Sequence, residues 1–153
     1  MTRLKYADMD CSIARTLQIM GEHWSMLIVK NALFGTSRFS DFQRVLGVAR
    51  NILTDRLNHL VDNGILERYV AQPGGLRQHY RLTTKGRDLM PVLIAMMQWG
   101  DRWTVEGDAP PVAVVSRSNN RPIGTIEVVD ERGISLKLED IQFVFRKETE
   151  KAA

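Results

Sequence analysis

Ser40-Asp41-Phe42-Gln43-Arg44-Val45 is followed by a short turn and then by Ala49-Arg50-Asn51-Ile52-Leu53-Thr54-Asp55-Arg56-Leu57-Asn58-His59-Leu60. Ser40 is a good N-cap, and Gln43 three residues on completes a capping box. The first run therefore predicts a short helix over 41–46, ended by Gly47. The second run predicts a longer helix starting near Ala49. Leu53, Leu57, Leu60 and Val61 recur at helical spacing and form one apolar face. The opposite face carries Arg50, Asn51, Thr54, Asp55 and Asn58. Solubility alone usually puts Glu and Lys on such a face. Arg, Asn and Thr near the helix start are residue types that reach base edges in a major groove. An ordinary solvated face is the plain alternative, and the segment that follows weighs against it.

Gly64 stands where a left-handed C-cap is wanted, with Ile65 able to pack back on the helix. Two β-rich arms follow, Ile65–Ala71 and Gln78–Leu82, joined through Gln72-Pro73-Gly74-Gly75-Leu76-Arg77. Arg77 lies near the tip, and Arg68 and Arg81 lie on the arms with Tyr69, His79 and Tyr80. Such a ribbon can hold backbone phosphates without sequence preference. Helix, turn, helix and ribbon together make a winged helix-turn-helix. The expected fold class is mainly α with small β.

Charge agrees with that placement. The net charge is +3 over 153 residues. Residues 36–87 hold nine Lys/Arg against four Asp/Glu (+5), and residues 88–153 hold eight against eleven (−3). Positive potential is thus focused on the helix–ribbon segment, as a nucleic-acid partner requires. One Cys excludes an internal disulfide. No signal peptide and no membrane-length apolar run are visible, so a cytoplasmic protein without membrane contact is expected.

Elsewhere, 1–9 reads as a flexible arm. Asp10-Cys11-Ser12 opens a first helix with Ile13, Leu17 and Met20 on its apolar face, broken by Gly21. Trp24 to Leu33 is apolar nearly all round and reads as a buried central helix. Arg38-Phe39 suggests a very short strand pairing with the wing. Thr83-Thr84 caps a long helix over 85–103, with Pro91 kinking it or distorting its first turns. Its wide apolar face, including Met96, Met97, Trp99 and Trp103, suggests a dimerisation seam, with packing inside one chain as the alternative. Residues 104–111 read as a linker. The period then changes to two over 112–147, predicting a small β-meander appendage, and 148–153 reads as a tail.

These residues also carry a family likeness. The run from Cys11 to Ile28, Arg38-Phe39-Ser40-Asp41-Phe42, Leu53-Thr54-Asp55-Arg56-Leu57, Gly64-Ile65-Leu66-Glu67-Arg68, Tyr80 to Gly86 and Trp99-Gly100 fall in the order and spacing of the HxlR-type winged-helix regulators, a branch near the MarR proteins. The resemblance covers about residues 8–103. It implies a homodimer bound to a near-palindromic operator in double-stranded DNA and controlling a neighbouring gene; a transcriptional regulator, a repressor rather than an activator, is expected. It also implies a sensor of quinones, aldehydes or oxidants at Cys11. The sequence departs from the pattern at Ser12, where Pro is common, and at Ala49, where a Ser or Thr cap is common. Its C-terminal extension lacks the Cys pairs of some longer members.

Groove contacts are expected from Arg50, Asn51, Thr54 and Asn58, and phosphate contacts from Arg38, Arg44, Arg56, Arg77 and Arg81. Met20, Trp24, Met96 and Trp99 could line a pocket for an apolar effector, although Met and Trp at helical spacing are more often core. Cys11 has its own plain alternative as a small buried hydrophobe. His23, His59 and His79 have no metal-ligand spacing, and no nucleophile–base or phosphate-loop motif is visible. No catalytic residue, metal or cofactor is expected, and an enzyme is not. The remaining alternatives are a regulator answering a non-covalent effector at the dimer interface and a winged helix used for protein contacts.

Overall fold

The computed structural model describes residues 10–104, 110 and 112–144. The expected arm 1–9, tail 148–153 and most of the linker 104–111 lie outside the described residues. Two compact units are present, one up to Ile94 and one from Ala95 onward.

The first unit runs α1 (Ser12–Met20), α2 (His23–Leu33), α3 (Phe39–Leu46), α4 (Arg50–Asp62), β1 (Leu66–Val70), β2 (Gln78–Leu82) and α5 (Thr84–Arg87). A sixth helix, α6 (Met90–Trp103), starts in this unit and continues into the second. The antiparallel ribbon pairs Leu66 with Leu82 through to Val70 with Gln78. A single bridge from Arg38 to His79, with Tyr80 N–H donating to the Ser37 carbonyl at 2.8 Å, adds the expected short third strand at Arg38. Phe39 already belongs to α3.

Ile28 and Val29 of α2, Phe42 of α3, and Leu53, Leu57 and Leu60 of α4 are completely buried. They pack with Ile65, Leu66, Tyr80, Leu82 and Leu93 into one core. Phe42 meets Tyr80 edge-to-face at 6.4 Å, fixing α3 against the ribbon. Gly47 (φ 63) ends α3 in the left-handed conformation, as its sequence position predicted. After α4, Ile65 N–H reaches the Leu60 carbonyl and Gly64 N–H the Val61 carbonyl, each at 2.9 Å, with Gly64 at φ 69.

Four expectations are corrected. Ser40 does not cap α3; the helix begins two residues earlier than expected, with Arg38 as N-cap and no side-chain cap bond. Tethering Ser37 and Arg38 to β2 forces the chain to turn into the helix immediately. Helix α2 is not buried all round, because Leu27 remains 41% exposed. The helix over 85–103 is two helices. Thr83 Oγ1 accepts from Gly86 N–H at 3.1 Å to cap the first, and the break precedes Pro91, which has no N–H to bond the Arg87 carbonyl. The 112–144 region forms no continuous strands among its described residues. It holds two tight hairpins, each with one bridge, Val115–Pro122 and Val129–Ser135, and a 3-10 turn at Leu138–Asp140.

The second unit has its own clasp. The Gln98 side chain donates to the Gly124 carbonyl at 2.9 Å and accepts from Ile126 N–H at 2.8 Å. Its second hairpin turns on Asp130, whose carboxylate accepts from the N–H groups of Ile134 and Arg132. The Ile134 bond, followed by those from Arg132, holds the Asp130 carboxyl below its ordinary range against an opposing desolvation effect.

Candidate nucleic-acid interface

Helix α4 presents its amino-terminal turns outward. Ala49 caps it without a side-chain bond, as expected from its departure from the family pattern. The Leu53, Leu57 and Leu60 face is sunk in the core, which leaves Arg50, Asn51, Thr54 and Asp55 exposed on the other side. Arg50 is not loose. Its guanidinium carbon lies 5.1 Å from the Phe39 ring centroid, a cation–π contact that holds it beside the helix start. Thr54 Oγ1 donates to the Arg50 carbonyl at 2.8 Å, so its methyl group and second lone pair remain outward.

Asn58 has a different place. It is half-buried, and its Oδ1 accepts from the Arg68 guanidinium of β1 at 2.5 Å. Arg68 in turn lies 6.0 Å from the centroid of the Tyr80 ring. Sequence periodicity put Asn58 on the outward face. It could not show that a wing arginine, absent from the expected contact set, occupies its acceptor.

The arginines expected on phosphate divide in the same way. Arg38 is exposed at the start of α3. Arg44 is exposed and bonds Asp41 one turn back at 3.2 Å. Arg56 is three-quarters buried in its side chain and reaches Glu22 beside α2 at 3.8 Å, which turns it toward the helical body. Arg81 bonds Glu67 across the ribbon at 2.6 Å and lies 4.9 Å from the Tyr69 centroid. Such exposed pairs are weak and open readily to a competing phosphate. Arg77 is exposed in the loop beyond the paired strands.

His79 is a structural link. It is buried, its Nδ1 is 3.1 Å from Ser37 Oγ, and its ring lies 5.4 Å from that of Tyr69. Together with the Arg38 bridge it ties the outer end of the paired ladder to the α2–α3 connection.

Cys11 is the N-cap of α1 and is half-exposed. Arg15 pairs with Asp10 at 2.8 Å, so a carboxylate faces its charge next to the thiol. Of the expected pocket residues, Met20 is buried and Trp24 half-buried in the first unit, while Met96 and Trp99 are exposed in the second. An open cleft of about 310 Å³ lies elsewhere, lined by residues that include Leu33, Ser37, Tyr69, Arg81 and Arg87. No helix among the described residues is long and apolar enough to cross a membrane.

Known proteins carry the same architecture. The HTH-type transcriptional regulator Rv3095 of Mycobacterium tuberculosis, itself uncharacterised, is 40% identical over 66% of this chain. The chain spans 64% of that relative's length, just under two thirds. The solved structure of PA1607, described as a proposed transcription factor, is 40% identical with a TM-score of 0.85, covering 92% of this chain and 98% of its own. The reduced form of the transcriptional regulator YodB from Bacillus subtilis is 28% identical with a TM-score of 0.54, covering 65% of this chain and 100% of its own. YodB is also known in a quinone-bound form. The family model of HxlR-like helix-turn-helix proteins matches residues 19–108, more than half of the chain, spanning α2 to α6 and the whole ribbon. The chain therefore belongs to the HxlR-like helix-turn-helix family of transcriptional regulators.

Proposed function

We propose that the protein is a dimeric repressor that binds a near-palindromic operator and releases it when Cys11 is modified. The observation that carries the DNA reading is the outward row Arg50, Asn51 and Thr54 at the start of α4, beside an arginine-bearing ribbon joined to that helix through Arg68 and Asn58. In this reading α4 enters a major groove, with Arg50 and Asn51 on base edges. Arg38, Arg44, Arg77 and Arg81 take phosphates, and Arg56 and Asn58 act mainly by holding the helix in place. A two-fold dimer presents two such helices to half-sites about 34 Å apart, or a multiple of that.

Dimerisation is supported by apolar surface that each unit leaves open. Ile13 and Leu17 of α1 are 71% and 45% exposed, and Trp99 and Trp103 of α6 are 63% and 69% exposed. Water-facing tryptophans on one helix are the kind of surface that a second copy covers.

Redox or electrophile sensing is supported by the half-exposed thiol at the start of α1 and by the likeness to YodB. A quinone would add Cys11 Sγ to its ring. An oxidant such as diamide would take two electrons from two thiols and join the Cys11 residues of two subunits, or one Cys11 and a small thiol. Either product at α1 changes how the two subunits meet and therefore the spacing of the recognition helices. Operator binding is measured before and after diamide or quinone, in the native protein and in Cys11→Ser. Release only in the native protein is expected. Equal loss in both, or in neither, leaves Cys11 as packing.

A further inference from the structure

The tip of the ribbon carries one side chain that has no part in the fold. Gly75 N–H donates to the Gln72 carbonyl at 2.9 Å, and Gly74 lies at φ 78, so Pro73 and Gly74 are the middle of a tight turn. Leu76 leaves that turn with 99% of its surface exposed, and Arg77 follows it. A single exposed leucine is ordinary on a protein surface. This one stands at the far end of a supported arm. Ladder pairing from Leu66–Leu82 to Val70–Gln78 stiffens the arm, His79 ties its next-to-last pair to Ser37, and Arg68 bonds it to α4. Apart from Gln72, the tip residues from 71 to 76 are Ala, Pro, Gly and Leu, and Arg77 is the first charge. The tip is therefore slim, apolar at its end and positive just behind.

We propose that Leu76 is a wedge that enters the minor groove next to the α4 site and partly unstacks one base step, while Arg77 holds the groove wall. This rests on the DNA-binding reading above. Slim apolar side chains backed by a cation suit this task. The phosphates along the groove draw the arginine to its wall, and a branched aliphatic group between two bases kinks the duplex toward the major groove. Water lost from Leu76 and from the opened base faces offsets the lost stacking. The wedge also selects sequence without any hydrogen bond, because pyrimidine–purine steps open more easily than others. Operators are then expected to carry such a step where the wing tip lands.

The test uses the full chain and duplexes enriched by it from a randomised DNA library. Native protein, Leu76→Ser and Leu76→Met are compared for affinity across salt concentrations, for end-to-end fluorescence transfer that reports bending, and for 2-aminopurine brightening at each flanking step. Sedimentation is followed alongside. The native protein and Leu76→Met are expected to bend the duplex by roughly 20–90° and to brighten the probe at one step. Leu76→Ser is expected to lose both signals and to bind about tenfold more weakly at an unchanged salt slope, with less enrichment of pyrimidine–purine steps. Bending and unstacking by Leu76→Ser equal to native overturn the wedge and leave the regulator reading standing. A changed oligomeric state of Leu76→Ser, with bending intact, also overturns it and assigns the tip to a second copy. If the native protein enriches no duplex, the DNA reading itself fails and the wedge with it.

Discussion

Arg68 of the first wing strand donates to Asn58 Oδ1 of the recognition helix at 2.5 Å, so the two elements expected to touch DNA are bonded to each other before DNA arrives. This hydrogen bond from an exposed guanidinium to half-buried Asn58 orients the ribbon relative to α4. Asn58→Ala and Arg68→Ala are therefore expected to weaken duplex binding to similar extents, and the double variant to be little worse than either. Coupling of this kind typically measures about 0.5–3 kcal/mol in a double-mutant cycle. Titration of all four proteins against one labelled duplex checks it, and strict additivity would separate the two residues.

Arg50 and Arg77 are expected to differ in kind. Arg50 sits at the exposed start of α4, against the Phe39 ring. Arg50→Ala should cost roughly 1–3 kcal/mol on the preferred duplex and relax sequence preference. Arg77→Ala should weaken all duplexes alike and reduce the salt slope by about one. Affinities for selected and scrambled duplexes over a salt series distinguish the two, and an Arg50→Ala variant with native affinity would displace the helix register proposed for the groove.

Gly86 allows α5 to lie against the chain entering β1. A Cβ there would overlap the Ile65 carbonyl oxygen and press on Leu82 Cδ2. The backbone oxygen cannot swing aside as a side chain does. Gly86→Ala is expected to destabilise the protein by about 1–3 kcal/mol, as overpacking does, read as a lowered urea midpoint at unchanged m-value.

Trp99 is 63% exposed, so a charge there removes little from the core of one chain. If the proposed seam is right, Trp99→Glu is expected to sediment as a folded monomer with native helix content and to bind a two-half-site duplex far more weakly than the native protein. A variant that remains dimeric would put the seam elsewhere.

The Asp130 hairpin has an acid limit. Its carboxyl is held below the ordinary range, chiefly by the Ile134 N–H. The sign follows from linkage: a depressed folded pKa gives stability that is present above the unfolded value and lost as pH falls through the folded one. The Ile134 amide resonance should titrate below the usual carboxylate range, and Asp130→Asn should abolish that titration without moving signals from α4.

The sequence by itself determined the elements whose information is local. Leu53, Leu57 and Leu60 repeat at 3.6 residues, so α4 and its outward Arg50, Asn51 and Thr54 were legible without knowing what the leucines touch. Gly47, Gly64 and Pro73-Gly74 marked turns because few other residues adopt those backbone angles readily. The tertiary structure decided what depends on distant partners. A perfect capping box at Ser40 lost to the pairing of Ser37 and Arg38 with β2, since a fixed strand position dictates where the next helix must begin. Periodicity puts Asn58 on the outward face, but only the fold brings Arg68, ten residues away in sequence, to its oxygen. Period-two runs after 112 promised a meander, yet only two one-bridge hairpins formed, with Gln98 taking backbone groups of Gly124 and Ile126. Periodicity fixes which face of an element is apolar. The competition among backbone and side-chain donors for each acceptor is settled only when the folded chain brings them within reach.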